Sequence, residues 1–355
     1  MKEDFNFKIL TTDTDLGESS PYKGVIPSGW TKREDASEVY YLSKSNLSKE
    51  KIAEVINATP HDLVYLNSFY SKWFSIVPLQ LKKKGIITSP VVLAPRGMLS
   101  EGALALKKFK KRSFIQLSKI TGLHKQITWH ATYEKEIEEI RNVFGKDAKI
   151  KLCPNFSKPI KTSAEIRQKT SGNLKLFFLS RISRVKNLHI ALKALQNLSA
   201  DLTFAPGESI IYDIYGALED GNYKEECLEI INKLPAGIKA EFKDELNNDR
   251  VGEIISGYHF LFLPTSNENF GHSIFEALQA GCPVIISNKT PWKNLEMLNC
   301  GWDVEPLAEN YVSILKKCYQ MEDTEYQAMY KAALTLAEGK LTVPGHREAA
   351  IELFG

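Results

Sequence analysis

No stretch of this 355-residue chain is apolar over the roughly 20 residues a bilayer-spanning helix needs; its longest apolar runs, such as HFLFLP at 259–264, have the length of a strand. No helix of this sequence is expected to cross a membrane. The opening MKEDFNFKIL carries acidic residues and no apolar segment ahead of a small-residue cleavage site, so a secretion signal is not expected and a cytoplasmic setting follows. The five cysteines are odd in number, far apart and without a Cys-x-x-Cys pair, which favours buried, reduced thiols over zinc ligands or disulfides. A net charge of +3 is too small to argue for nucleic acid. No Gly-x-Gly-x-x-Gly follows any candidate strand, which speaks against a dinucleotide-dependent dehydrogenase. Low-complexity blocks are lacking too, and 43% hydrophobic with 25% charged residues fits a folded chain that is too long for one ordinary core.

What is present is an alternation of short β-branched or aromatic runs with amphipathic segments of helix length, the pattern of parallel sheets wrapped by helices. The first half offers strands at 7–12, 38–43, 63–68, 90–95, 126–131 and 149–154. The second half offers them at 174–180, 210–216, 239–244, 259–264, 282–287 and 301–305. Between the halves lies the polar stretch NFSKPIKTSAEIRQKTSGN. The expected division is a first domain over 1–155, a linker over 156–173, a second domain over 174–335, and a tail over 336–355 packing back on the first. Both domains read as doubly wound α/β units facing one another. Ligands of such sheets sit outside the carboxyl ends of the strands, so the loops after strands carry the functional information.

The loop after LKLFFLS reads RISRVKNLHIALKAL. Arg181, Arg184 and Lys186 fall between a strand and a helix that Asn187 is placed to cap, and cations beside a helix N-terminus make an anion site. Taken alone, the loop reads equally well as a solvated basic turn. The stretch TSNENFGHSIFEALQAGCPVIIS supplies a second element: Glu268 in an entry loop, Gly271 letting the backbone approach closely, and Glu276 about one turn into a helix over 272–280 that Gly281 stops. Taken alone, these acids also fit the common preference for negative charge near a helix start. In LKKFKKRSFIQLSK, six basic residues and no acidic one alternate with Phe109, Phe114, Ile115 and Leu117. This segment reads either as an amphipathic helix lying on an anionic membrane, with Lys107, Lys108, Lys110, Lys111 and Arg112 as contacts, or as a solvated surface helix. DTD at 13–15 looks like a metal clamp, but too little chain precedes it for that architecture, and it reads as a turn or rim.

Together the cationic loop and the glutamate pair resemble glycosyltransferase family 4, the retaining GT-B transferases. The spacing Arg181-x4-Lys186 and Glu268-x7-Glu276 carries the resemblance, with ENFGHSIFEALQAGCPVIIS around the pair. Further segments resemble the bacterial surface-polysaccharide branch: LTTDTDLG, LNSFYS, APRGMLSEGAL, WHAT, IYGALED and TPWKNLE. The resemblance implies a GT-B-like α/β fold, two Rossmann-like domains facing a central cleft. It implies that Arg181, Lys186 and Glu268 are catalytic, the two cations holding the donor diphosphate and Glu268 positioning the sugar. Glu276 is implied to bind the ribose, with Asn269, Phe270, Gly271, His272, Ser273 and Gly216 completing the donor site. Arg96 and His130 are implied on the acceptor side. No metal and no cofactor is implied; the nucleotide-diphosphate sugar is the donor substrate.

The chain departs from the family at its start, because FNFKILTTD corresponds to the family's second strand. Its first domain is therefore expected to be incomplete, with Met1 either internal to a longer product or opening a truncated relative. Where many members carry a histidine after the strand 90–95, this chain has Arg96 and Gly97. The expectation is a retaining, metal-independent hexosyltransferase building a surface glycan such as lipopolysaccharide or capsule. It acts in the cytoplasm at the inner face of the plasma membrane on a glycan acceptor, extending to lipid-diphosphate-linked acceptors, with no nucleic acid partner. The alternatives are an inactive subunit that binds nucleotide sugar, and a retaining glycoside hydrolase, which leaves Arg181 and Lys186 unexplained.

Overall fold

The computed structural model describes residues 4–14, 20–33, 37–105, 108–155, 159–160, 167–198, 202–246, 250–341 and 345–355. The chain divides into two compact units, Met1–Asn155 with Pro344–Gly355, and Phe156–Val343.

In the first unit, strands β1 (Lys8–Thr12), β2 (Gly29–Lys32) and β3 (Glu38–Leu42) form one sheet in the order β1-β3-β2. Strands β4 (Val64–Asn67), β5 (Val91–Ala94), β6 (Thr128–Ala131) and β7 (Ile150–Leu152) form a second sheet in sequential order. All pairs are parallel except β2 with β3. Among the described residues no strand joins β1 to β4, so each leaves one edge unpaired. Strand β2 is not legible in the sequence: four residues are too few to show an alternation. It forms because Trp30 stacks edge-on against Tyr40 of β3, with ring centroids 5.4 Å apart.

The closing helix His346–Phe354 belongs to this unit. Arg347 pairs with Asp4 at 2.6 Å, Ala350 and Leu353 pack with Val92 and Cys153, and Phe354 meets Phe7 near β1 and Tyr65 of β4 at 5.3 and 5.4 Å.

The second unit is one parallel sheet of β8 (Asn173–Leu179), β9 (Ser209–Tyr215), β10 (Ile238–Phe242), β11 (Phe260–Leu263), β12 (Val284–Ser287) and β13 (Gly301–Val304), in the order β10-β9-β8-β11-β12-β13. Strands β11 and β12 are buried along their whole length, as continuous apolar runs must be when helices cover both faces.

The stretch expected to be a linker is only partly one. Arg167 and Lys169 are buried in the second unit. The Arg167 guanidinium donates to the carbonyls of Ile255, Tyr258 and Ala280, and the Lys169 ammonium to those of Thr170, Tyr319 and Met321. Several of these carbonyls end helices (Val251–Ile255, His272–Gln279 and Ala308–Gln320), where the dipole favours a cation. Polarity in the sequence therefore marked carbonyl-capping cations as much as solvent exposure. Burial lowers the Lys169 ammonium to about 8.

All five cysteines are buried and free. Among the described residues no helix is long and apolar enough to cross a membrane.

Candidate functional site

In the six-stranded sheet the strand order reverses between β8 and β11. In open α/β sheets the loops leaving two such neighbours turn to opposite faces, and ligands bind in the crevice at that reversal point. Those loops are 180–187 and 264–271, which carry Arg181, Lys186 and Glu268. Backbone and side-chain bonds lock them together. Val185 accepts from the Ser266 N–H at 2.8 Å and from the Thr265 hydroxyl at 3.1 Å. Asn187, in a left-handed conformation at φ 55°, donates its side-chain amide to the Pro264 carbonyl at 2.9 Å. Asn187 thus clamps the two loops instead of capping the helix Leu188–Leu198 through its side chain.

This clamp brings Lys186 Nζ within 2.6 Å of Glu268 Oε2, with the two side chains only 10% and 16% exposed. An ion pair so shielded is costly to break from one side, roughly 3–5 kcal/mol. The ammonium has further N–H donors to offer, and Glu268 Oε1 accepts no hydrogen bond among the described residues. The other two cations of the loop also meet carboxylates, but in solvent: Arg181 pairs with Glu219 at 2.7 Å with 59% and 39% exposure, and Arg184 with Glu226. Arg184 lies over the Tyr223 ring, 5.1 Å from its centroid, on the side of the helix Gly221–Ile231.

Gly271, at φ 81°, opens the helix His272–Gln279, and no side chain caps that end. A Cβ at Gly271 would lie 2.8 Å from Ile274 Cδ1 and 3.2 Å from Glu268 Cγ, so glycine is what lets the loop pass close to the acid. The Phe270 carbonyl is held by the Trp292 indole N–H at 2.6 Å, and the Phe270 ring lies 4.9 Å from that of His272. Asn269 is half-buried in the same loop, and Ser273 half-buried in the first helical turn. Glu276 is half-buried one turn further on, and its side-chain carboxyl accepts no hydrogen bond among the described residues. Burial pushes its carboxyl up to about 7.

A third loop joins the other two. At Gly216, φ is 142° and a Cβ would sit 1.9 Å from the Ser180 carbonyl oxygen. The glycine allows the chains after β8 and β9 to keep pairing, with Ile182 N–H to Ala217 at 2.8 Å and Glu219 N–H to Ile182 at 3.3 Å. That pairing delivers Glu219 to Arg181. Arg181, Ser183, Val185 and Glu219–Asn222 line an open recess of about 500 Å³. Glu219 was missed as a site residue: IYGALED was legible as a segment, but only the alignment of β8 beside β9 puts its acid on the arginine.

Residues 160–333 match the sequence profile of the family described as glycosyl transferases group 1. No curated protein matches the chain by sequence. Among solved structures, Alr3699/HepE of Anabaena in complex with UDP and glucose is similar at 18% identity and a TM-score of 0.66, over 89% of this chain and 85% of that one. Sucrose-phosphate synthase of Thermosynechococcus elongatus is similar at 14% identity and a TM-score of 0.66, over 100% and 86%. WaaG, a glycosyltransferase involved in lipopolysaccharide biosynthesis, is similar at 15% identity and a TM-score of 0.61, over 84% and 93%. At these identities the likeness shows the fold, which is that of the GT-B glycosyltransferases.

Outside residues 160–333, Arg96 and His130 lie together at the carboxyl ends of the first unit's strands. The Tyr65 hydroxyl, 2.7 Å from His130 Nδ1, also accepts from Arg96 Nη2 at 2.9 Å, and His130 Nε2 is 2.7 Å from the Cys153 carbonyl. Both ring nitrogens of His130 are therefore spent inside the protein. Burial lowers its pKa to about 4, so it is a neutral support for Tyr65.

The basic segment forms the helices Glu101–Ala105 and Lys108–Ile120; Lys107 lies outside the described residues, as does Asp15 of the DTD segment. Lys108, Lys110 and Arg112 are exposed. Lys111 instead turns to the Ala103 carbonyl and the Tyr70 ring. Phe109, Leu117 and Ile120 are exposed on the same helix.

Proposed function

We propose that the chain is a retaining glycosyltransferase that moves a hexose from a nucleotide-diphosphate sugar to a glycan acceptor in bacterial cell-surface polysaccharide biosynthesis. The observation that carries this reading is the Lys186–Glu268 pair, 2.6 Å apart at the reversal point of the six-stranded sheet, followed on the adjoining helix by the unpartnered Glu276. Heterolysis of the anomeric bond places negative charge on the departing diphosphate and positive charge on the sugar. Fixed cations beside the diphosphate lower that barrier. In this reading Arg181 and Lys186 hold the diphosphate, Lys186 keeping Glu268 in place with one N–H while others reach the phosphate. Glu268 turns Oε1 to the sugar, Glu276 takes the ribose hydroxyls, and protein cations do the work a metal would otherwise do. Arg181 gives up Glu219 readily, since exposed pairs are worth about 1 kcal/mol or less. The described role of WaaG in lipopolysaccharide biosynthesis and the UDP and glucose held by HepE support the biological setting and donor class.

On the acceptor side, the first unit's Arg96 receives the glycan, which on a lipid diphosphate lies at an anionic membrane. Exposed Lys108, Lys110 and Arg112 beside Phe109, Leu117 and Ile120 suit such a surface, and the protein then rests peripherally on the inner face.

The test is calorimetry of the full chain with UDP- and GDP-hexoses, paired with a nucleotide-release assay. Binding with release is expected. Binding without release would favour an inactive subunit, and neither would overturn the donor site.

The raised pKa of Glu276 adds a pH dependence. Below about 7 its carboxyl is protonated, and a neutral carboxyl accepts hydroxyl hydrogen bonds less strongly than a carboxylate. Nucleotide affinity is therefore expected to rise as pH passes from 6 to 8, and Glu276→Gln to flatten that rise. The stability linkage runs the other way. A folded-state pKa above the ordinary value of 4.5 gives a contribution fully present below 4.5 and lost as pH climbs to about 7. An unchanged pH profile in Glu276→Gln would remove the assigned role.

A further inference from the structure

The three cations of the loop 180–187 all face carboxylates, whereas Arg96 of the first unit meets none among the described residues. Its guanidinium is held by three neutral acceptors: Asn67 Oδ1 at 2.6 Å, Tyr65 Oη at 2.9 Å, and Asn155 Oδ1. These come from the ends of β4 and from the segment after β7, so the arginine is fixed from two sides. Its other N–H groups have no partner among the described residues. Arg96 also sits in a left-handed conformation, φ 55°, followed by Gly97 at φ 73°, a backbone shape costing on the order of 1 kcal/mol for a residue with a side chain.

The buried acid Glu136, bonded to the neighbouring Gly97, is used up. Its Oε1 accepts from the Gly97 N–H at 2.6 Å, and its Oε2 from the Thr132 N–H and hydroxyl at 2.7 and 2.8 Å. A half-buried arginine, held by three neutral acceptors and left without a counter-ion among the described residues, is built to receive an anion in bidentate fashion.

We propose that Arg96, supported by Tyr65, Asn67 and Asn155, binds an anionic group of the acceptor, a carboxylate or a phosphate. This deepens the acceptor-side reading above and rests on it, but the site itself is testable without donor or turnover. Neighbouring groups do not compete: His130 is neutral with both nitrogens engaged, and the Tyr65 hydroxyl is pushed up to about 12 by burial.

The test is direct binding to the full chain of paired probes that differ in one group: methyl glucoside against methyl glucuronide for a carboxylate, and glucose against glucose 6-phosphate for a phosphate, followed by calorimetry or ligand-observed NMR. At least one charged probe is expected to bind about tenfold or more tightly than its neutral counterpart, and the preference to weaken as salt rises. Which charged probe is preferred identifies the source of the anion. Arg96→Gln is expected to abolish the preference. Asn155→Asp is a second variant, keeping the arginine but giving it an internal carboxylate, and is also expected to abolish it. Equal affinity for charged and neutral probes, absence of binding by either charged probe, or a preference that survives in a folded Arg96→Gln or Asn155→Asp variant would overturn the proposal. A failed nucleotide-release assay would remove the word acceptor while leaving these binding results standing.

Discussion

Lys186→Ala lowers the rate of sugar transfer by ~100- to 1,000-fold, the loss typical when one preorganised charge is taken from a developing anion. From the sequence alone the substitution is expected to leave unfolding little changed; the structure revises that. Lys186 and Glu268 shield each other from water, 10% and 16% exposed, and removing the ammonium strands a carboxylate in a poorly solvated place. The single variant therefore also loses up to about 3–5 kcal/mol of stability. The double variant Lys186→Ala, Glu268→Ala recovers part of that stability, because no charge is left unpaired, yet recovers no activity. Chemical denaturation beside a transfer assay separates the two effects. Transfer near the wild-type level in Lys186→Ala would take the lysine out of the mechanism.

Gly216→Ala has the second large effect, and it acts on the backbone. The added methyl would lie 1.9 Å from the Ser180 carbonyl oxygen in a conformation, φ 142°, that side chains disfavour. Either the ends of β8 and β9 part, or the loop after β9 refolds. Both break the pairing of Ile182 with Ala217 and Glu219 and open the recess beside Arg181. The expected cost is roughly 2–4 kcal/mol of stability, with nucleotide affinity reduced about tenfold or more. Calorimetry on the folded fraction measures the second quantity directly. Unaltered affinity in a folded Gly216→Ala would mean that the recess is not part of the donor site.

Much of this was legible in the chain itself. Of the thirteen strands among the described residues, twelve are legible as short β-branched or aromatic runs between segments of helix length, and β11 and β12 read as continuous apolar runs because helices cover both faces. The helix His272–Gln279 is bounded by glycines whose backbone freedom the sequence displays. The residues of the cationic loop and the glutamate pair stand out by type and spacing. The short β2 did not, and neither did the burial of Arg167 and Lys169, since a cation that caps carbonyls looks the same in sequence as one facing water.

The sequence by itself determined which segments are strands and helices and which side chains carry charge, because local periodicity and residue chemistry are written along the chain. Only the tertiary structure decided which charges meet. Glu219 on Arg181, Glu268 on Lys186 and three neutral acceptors on Arg96 join residues 29 to 82 positions apart. Such partnerships depend on strand order and on the close passage of loops, which no periodicity records.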